Sequence, residues 1–385
     1  MSDQPPISFL DLPRQQARLG DALRRRIDTV LSHCRFVMGP EIEELETRLC
    51  AYSGAKHAVS VSSGTDALLI VLMAEEIGPG DAVFLPAFTY TATAEVVLLL
   101  GATPVFVDVD PRSFQIDPGS LKARIASIRA QGELEPRLVI GVDLFGQPAP
   151  WAQLREIAQE EALLLVADCA QAFGAALEGR KLGREAVATT LSFFPSKPLG
   201  AYGDGGAILT DDEERAALYR SLRTHGEGRS RYEVLRIGLN GRLDTLQAAI
   251  LLAKLDVFDE ELERRNDVAE RYDTGLAGLV ETPLRVPESE SAWAIYSILL
   301  PDRAQRDSLQ RFLSGCGVPS VVYYPKPLHA QPAYREHHDE TVSLPVSEGL
   351  GARILALPLH PELRDDEVAR VIDAVRRWHE QEMGK

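Results

Sequence analysis

Cysteine is scarce in this chain, with four residues scattered at Cys34, Cys50, Cys169 and Cys316 and no CxxC pair among them. That spacing suggests neither a zinc site nor a disulfide framework. Cys169 follows an aspartate at an expected strand end, but no histidine stands beside it in sequence, so it reads as a structural thiol. His and Asp residues form no ligand cluster, and no metal is expected. Long apolar runs are missing too; none approaches the roughly 18 residues of a membrane span. Positive charge is in deficit: 41 Lys and Arg against 57 Asp and Glu give a net charge of −16. That balance opposes non-specific binding to nucleic acid or to an anionic membrane, and an anionic small substrate would need a local basic pocket. The N-terminal MSDQPPISFLDLPRQQ has no basic stretch followed by an apolar core, so a cytoplasmic protein is expected. Repeats and low-complexity segments are absent as well.

What is present is an ordinary globular composition, 45% hydrophobic and 25% charged, spread over 385 residues. That length exceeds the usual single core and predicts two domains. Apolar residues at three- and four-residue spacing predict helices over 14–33 and 41–52. From residue 59 the pattern changes to repeated strand, turn and helix. Strands are expected over 59–63, 82–86, 104–108, 138–144 and 163–167, with helices between them, which is the signature of a mostly parallel α/β sheet. A loop is expected over 224–230, a long helical spine over 243–276, and then an α+β segment with strands over 293–300 and 318–323. In open α/β sheets ligands bind beyond the carboxyl ends of the strands, where Gly64, Thr65, Tyr90 and Asp168 fall.

The chain is organised around LSFFPSKPLGAYGDGGAILT, residues 191–210. Lys197 stands between Pro195 and Pro198, neither of which donates a backbone N–H, so it belongs on a turn rather than inside a helix or central strand. The glycines of 200–206 permit positive φ or close approach, and 207–210 reads as a return strand. The result is a hairpin presenting an amine. Lysine amines form Schiff bases with carbonyl compounds and with pyridoxal phosphate (PLP). An exposed loop lysine fits the same stretch, which alone leaves both readings open.

A PLP site needs a lysine, a carboxylate for the pyridine nitrogen, phosphate donors and a flat group against the ring. Asp168, ending an apolar run, can hold that nitrogen protonated and so make the ring an electron sink; an ordinary turn aspartate looks the same in sequence. Ser62, Ser63, Gly64 and Thr65 open a helix and offer N–H groups, a hydroxyl and the helix dipole to a phosphate. Ser192 can add a hydroxyl. Tyr90 can lie on the ring or pack in the core.

The runs SFFPSKPLGAYGDGGA, DCAQAFGA, SSGTDAL, PAFTYTATAEV, LNGRLDTLQAAIL and YYPKPLHAQPAY together resemble the PLP-dependent sugar aminotransferases of the DegT/DnrJ/EryC1/StrS family. The resemblance extends from FLDL to LPLHPEL. It implies the PLP-dependent transferase fold type I, aspartate aminotransferase-like, with a large cofactor domain over 1–250 and a small α+β domain over 251–385. It also implies that Lys197 is the Schiff-base lysine, Asp168 the pyridine partner and Gln171 a neighbour of the ring hydroxyl, with Gly64, Thr65 and Ser192 on the phosphate and Tyr90 stacked. Asn240 would come from a neighbouring subunit, giving a homodimer with shared sites.

Lysine rather than histidine at 197 implies transamination rather than dehydration. Gln171, where members that aminate C4 usually carry histidine, implies amination at C3. The expected reaction takes an amino group from L-glutamate to a UDP-linked 2-acetamido-2-deoxy-3-keto-glucuronic acid for O-antigen synthesis. A dTDP-3-keto-6-deoxyhexose is the alternative acceptor, and a non-catalytic PLP-binding regulator is the alternative class. Arg242, Tyr323, Tyr324, Lys326 and His329 would meet the sugar, with Tyr323 standing where those relatives carry histidine. Arg242 can bind a uronate carboxylate bidentately, and Lys326 adds charge. His225, like His329, is a motif neighbour to which a polar role and a structural hydrogen bond are equally open.

Overall fold

The computed structural model describes residues 5–228, 230, 232–339 and 341–384. Seven strands form one sheet in the order His57–Val61, Gly206–Thr210, Ala188–Ser192, Leu164–Asp168, Glu135–Val142, Asp81–Pro86, Thr103–Val107. Gly206–Thr210 is antiparallel to both of its neighbours, and every other pairing is parallel. The strand that follows the lysine turn is therefore the one that runs against the rest. Successive residues point to opposite faces of a pleated strand. Accordingly Val139, Ala167 and Leu209 enter one buried cluster, while Ile140, Val166 and Ile208 enter another on the other side. Burial on both faces explains why these strands read as continuous apolar runs rather than alternating ones.

A smaller unit pairs Tyr296–Leu299 antiparallel with Ile354–Leu357. Helices Phe258–Leu276, Arg303–Gly315 and Asp365–Met383 enclose a separate core around Tyr272, Trp293, Tyr296, Leu309 and Trp378. The spine expected over 243–276 is two helices, Thr245–Leu255 and Phe258–Leu276, separated at Asp256 and Val257. The break follows from burial in different cores: Ala248, Leu251 and Leu252 pack with the large sheet, whereas Val268, Ala269, Tyr272 and Leu276 pack with the small one. Residue 250, the expected domain boundary, falls inside the first of these helices. The strand expected over 318–323 is reduced to one bridge between Val321 and Ala356. Pro319 denies it a ladder donor. The loop expected over 224–230 includes residue 229, which lies outside the described residues.

The chain's beginning crosses between the units. Ile7 is buried in the small core and its N–H donates to Gly317 O at 2.9 Å, while His360 Nε2 lies 3.2 Å from Ser8 O. Residues 5–10 thus form a strap that brings Phe9 and Leu10 to the wall of the cavity described next.

Candidate active site

The carboxyl ends of the parallel strands open on a cavity of about 1090 Å³. Ala188–Ser192 and Gly206–Thr210 are the two arms of the lysine hairpin, with Ser192 opposite Gly206. At its tip Lys197 N–H donates to Phe194 O at 2.8 Å and Ala201 N–H to Phe193 O at 2.7 Å, so the expected turn is closed by its own backbone. Lys197 projects into the cavity. Burial pulls its ammonium pKa below the ordinary lysine value, and the charge of Asp168 opposes that shift.

Asp168 ends the strand Leu164–Asp168 and is 5% exposed. Its Oδ1 accepts from Ala170 N–H at 3.2 Å and its Oδ2 from the Thr93 hydroxyl at 2.9 Å. Burial raises its pKa; those two donors and Lys197 counter the rise. Lys197 and Asp168 thus influence each other across the cavity, without an ion pair within 4.0 Å. A cationic ring nitrogen at Asp168 would restore what burial takes from the carboxylate.

Helix Gly64–Ala74 starts at the end of His57–Val61, where Ser63 Oγ accepts from Asp66 N–H at 3.0 Å. The first turn's bond is Ala67 N–H to Ser63 O, so the Gly64 and Thr65 N–H groups precede the intrahelical ladder and remain available to an anion. A Cβ on Gly64 would stand 2.7 Å from Ser192 Cβ. Only glycine lets the helix start and the hairpin serine meet, and their meeting makes a cradle of N–H and hydroxyl groups. Tyr90, 55% exposed, lines the same cavity with its ring uncovered by core packing. The residues of this chain therefore fit PLP: amine, buried carboxylate, anion cradle and open aromatic face all border one space.

Gln171 is held in a fixed orientation. Its Oε1 accepts from Phe145 N–H at 2.8 Å, and its Nε2 donates to Tyr324 OH at 3.2 Å. Tyr323 and Tyr324 both line the cavity, Tyr323 against Phe9 at 6.3 Å between ring centroids, and Lys326 stands exposed at its rim.

Three expected residues are not brought to this cavity by their own chain. Asn240 is exposed and bridges Thr224, and Arg242 lies beside it; Gly241 O accepts from Ser62 N–H at 2.9 Å, which fixes this segment behind the helix start. His329, expected at the sugar, is turned away instead. The short 3-10 turn Leu328–Ala330 directs it into a pocket with His338, ring centroids 4.7 Å apart, and toward Glu348 at 3.5 Å. His225 is exposed and also outside the lining.

Sequence reasoning missed Thr93, Phe9, Glu95 and Arg265, all at or beside the cavity. Thr93 lies within a quoted motif, yet nothing in the string TYTATAEV separates its hydroxyl from its neighbours'. The cations lining the cavity are Lys197, Arg265 and Lys326, and the acids are Glu95, Asp168 and Asp204. One chain therefore offers a multiply anionic substrate no excess of positive charge. Among the described residues, no cluster of three or more His, Cys, Asp or Glu could hold a metal ion, and no helix is long and apolar enough to cross a membrane.

A family model described as the DegT/DnrJ/EryC1/StrS aminotransferase family matches residues 18–376. A UDP-2-acetamido-2-deoxy-3-oxo-D-glucuronate aminotransferase of Pseudomonas aeruginosa is 45% identical over 358 residues, covering 93% of this chain and 96% of the relative. Among solved structures, a DegT DnrJ EryC1 StrS aminotransferase from Brucella abortus superposes with a TM-score of 0.94 at 44% identity, over 97% of this chain and 99% of the other. A sugar aminotransferase of Streptococcus pneumoniae in its PLP form superposes with a TM-score of 0.86 at 26% identity, over 99% of each chain.

Proposed function

Because the chain belongs to the DegT/DnrJ/EryC1/StrS family of PLP-dependent aminotransferases, we propose that it moves the amino group of L-glutamate to C3 of UDP-2-acetamido-2-deoxy-3-keto-glucuronic acid, for surface polysaccharide synthesis. The observation that carries this reading is the convergence of Lys197 and Asp168 on one cavity, in a chain 45% identical to an aminotransferase named for that substrate.

When bound, PLP supplies an electron sink that makes the Cα proton of an amino acid removable. The chain's own residues do the rest. Lys197 Nζ, its basicity lowered by burial, would hold the cofactor and is placed to accept and return a proton. Asp168 keeps the ring nitrogen protonated. The Gly64 and Thr65 N–H groups with Ser192 would hold the phosphate, Tyr90 would lie against the ring, and Gln171 would meet the ring hydroxyl. Tyr323, Tyr324 and Lys326 border the space left for the sugar.

The functional unit in this reading is a cytoplasmic homodimer. Three features support it. The cavity's charge balance leaves the substrate's anionic groups without enough cations, and Asn240 and Arg242 stand outside their own chain's cavity, free to serve a partner's. Beside them, Val234, Leu235 and Ile237 are 61%, 57% and 84% exposed, an apolar surface suited to a second copy.

The test is amino transfer by the purified holoenzyme, with L-glutamate as donor and either the UDP-linked 3-keto-uronate or a dTDP-3-keto-6-deoxyhexose as acceptor. Formation of 2-oxoglutarate with the first acceptor is expected, and it should fall by roughly 10³-fold or more in Lys197→Ala. Preference for the dTDP sugar would reassign the substrate, and unchanged turnover in Lys197→Ala would remove the lysine from the mechanism.

A further inference from the structure

We propose that Thr93 is a positioning residue for the Asp168 carboxylate, fixing the carboxyl plane so that a lone pair is held toward the cofactor's ring nitrogen. The inference rests on the reading of Asp168 given above and goes one residue beyond it.

Thr93 lies in the first turn of helix Ala92–Leu99 and is fully buried. A helical threonine hydroxyl can return to a carbonyl three or four residues back. That of Thr93 instead crosses to Asp168 Oδ2, 75 residues along the chain, at 2.9 Å. On the other side of the carboxyl group, Ala170 N–H holds Oδ1 at 3.2 Å, and Asp143 N–H donates to the Asp168 backbone oxygen at 3.0 Å. Donors thus clamp the backbone and both carboxylate oxygens of Asp168. A β-branched side chain is stiff about χ1, so a buried Thr93 delivers its hydrogen from a fixed direction.

The chemistry explains why a donor belongs here. Burial without compensation favours the neutral acid, which would share its proton rather than accept one. An O–H and an N–H aimed at the two oxygens favour the carboxylate, which is the form that attracts a protonated pyridine. Thr93 also ties Asp168 to the aromatic wall: its N–H lies 3.4 Å from Tyr90 O, so the helix start that presents Tyr90 also sets the carboxylate. The two groups intended for opposite features of one ring share a single anchor.

The experiment loads the protein with PLP labelled with ¹⁵N in the ring and compares wild type, Thr93→Val, Thr93→Ser and Asp168→Asn at one pH. It reads the ring-nitrogen chemical shift, PLP affinity, and kcat and KM separately. Thr93→Val is expected to move the ring nitrogen toward its unprotonated shift, weaken PLP binding about tenfold and lower kcat about tenfold with little change in KM; Thr93→Ser should restore all three. Should the valine variant fail to accumulate, Thr93→Ala provides the same readouts without added bulk. A wild-type shift in Thr93→Val, alongside a moved shift in Asp168→Asn, would reduce Thr93 to packing and overturn the proposal. No rescue by serine would do the same. An unmoved shift in Asp168→Asn would instead overturn the reading of Asp168, and the proposal with it.

Discussion

Gly64 shows how narrowly single residues define the candidate site. Its missing side chain lets the helix start approach Ser192, and a Cβ there would stand 2.7 Å from Ser192 Cβ and 3.2 Å from its Cα. Gly64→Ala is therefore expected to spread the anion cradle, weakening PLP binding by about tenfold or more with a modest loss of stability. Equilibrium titration of cofactor-free protein with PLP checks this. Lys197 and Asp168 were legible in the sequence because a turn between prolines and the end of an apolar strand are local signals. Thr93 was not, since its partner is 75 residues away and no spacing encodes that contact. For His329 the sequence leaves a polar role and a structural hydrogen bond equally open: it is near Lys326 in sequence, but a single 3-10 turn sets its ring toward His338 and Glu348.

At the scale of elements, the N-terminal strap depends on one buried histidine. His360 is 1% exposed, and its Nε2 meets Ser8 O. Burial pushes its pKa down from 6.5 to about 4. The folded protein keeps this ring neutral while the unfolded chain takes up a proton below 6.5. Its contribution is therefore complete above that pH and is lost as pH falls from about 6.5 to about 4, by about 3 kcal/mol in total. The melting temperature should decline across that window, and His360→Asn should flatten the decline. An unchanged slope in the variant would assign the acid sensitivity elsewhere. The strap was invisible in sequence because nothing local in residues 5–10 marks it; its role comes from docking on a core formed by residues from Val268 to Trp378. The alternating strands were legible because burial on both faces leaves continuous apolar runs, and the spine was misjudged because a helical pattern does not say which core each half enters.

For the whole molecule, the decisive expectation is that sites are shared between subunits. Asn240 lies outside its own chain's cavity, so in the proposed dimer Asn240→Ala and Lys197→Ala would damage different halves of a composite site. Each homodimer should be nearly inactive at limiting PLP. Mixing them under subunit exchange should regain about a quarter of wild-type activity, because hybrid dimers contain one site with both residues intact. No recovery would place each site within a single chain.

The central claim is that the amine on the hairpin turn carries the cofactor, and borohydride reduction of the PLP-loaded protein followed by peptide mass mapping tests it most directly. A single pyridoxyl-modified peptide containing Lys197 is the predicted result. Modification at Lys326 or another lysine, with Lys197 unlabelled, would contradict it.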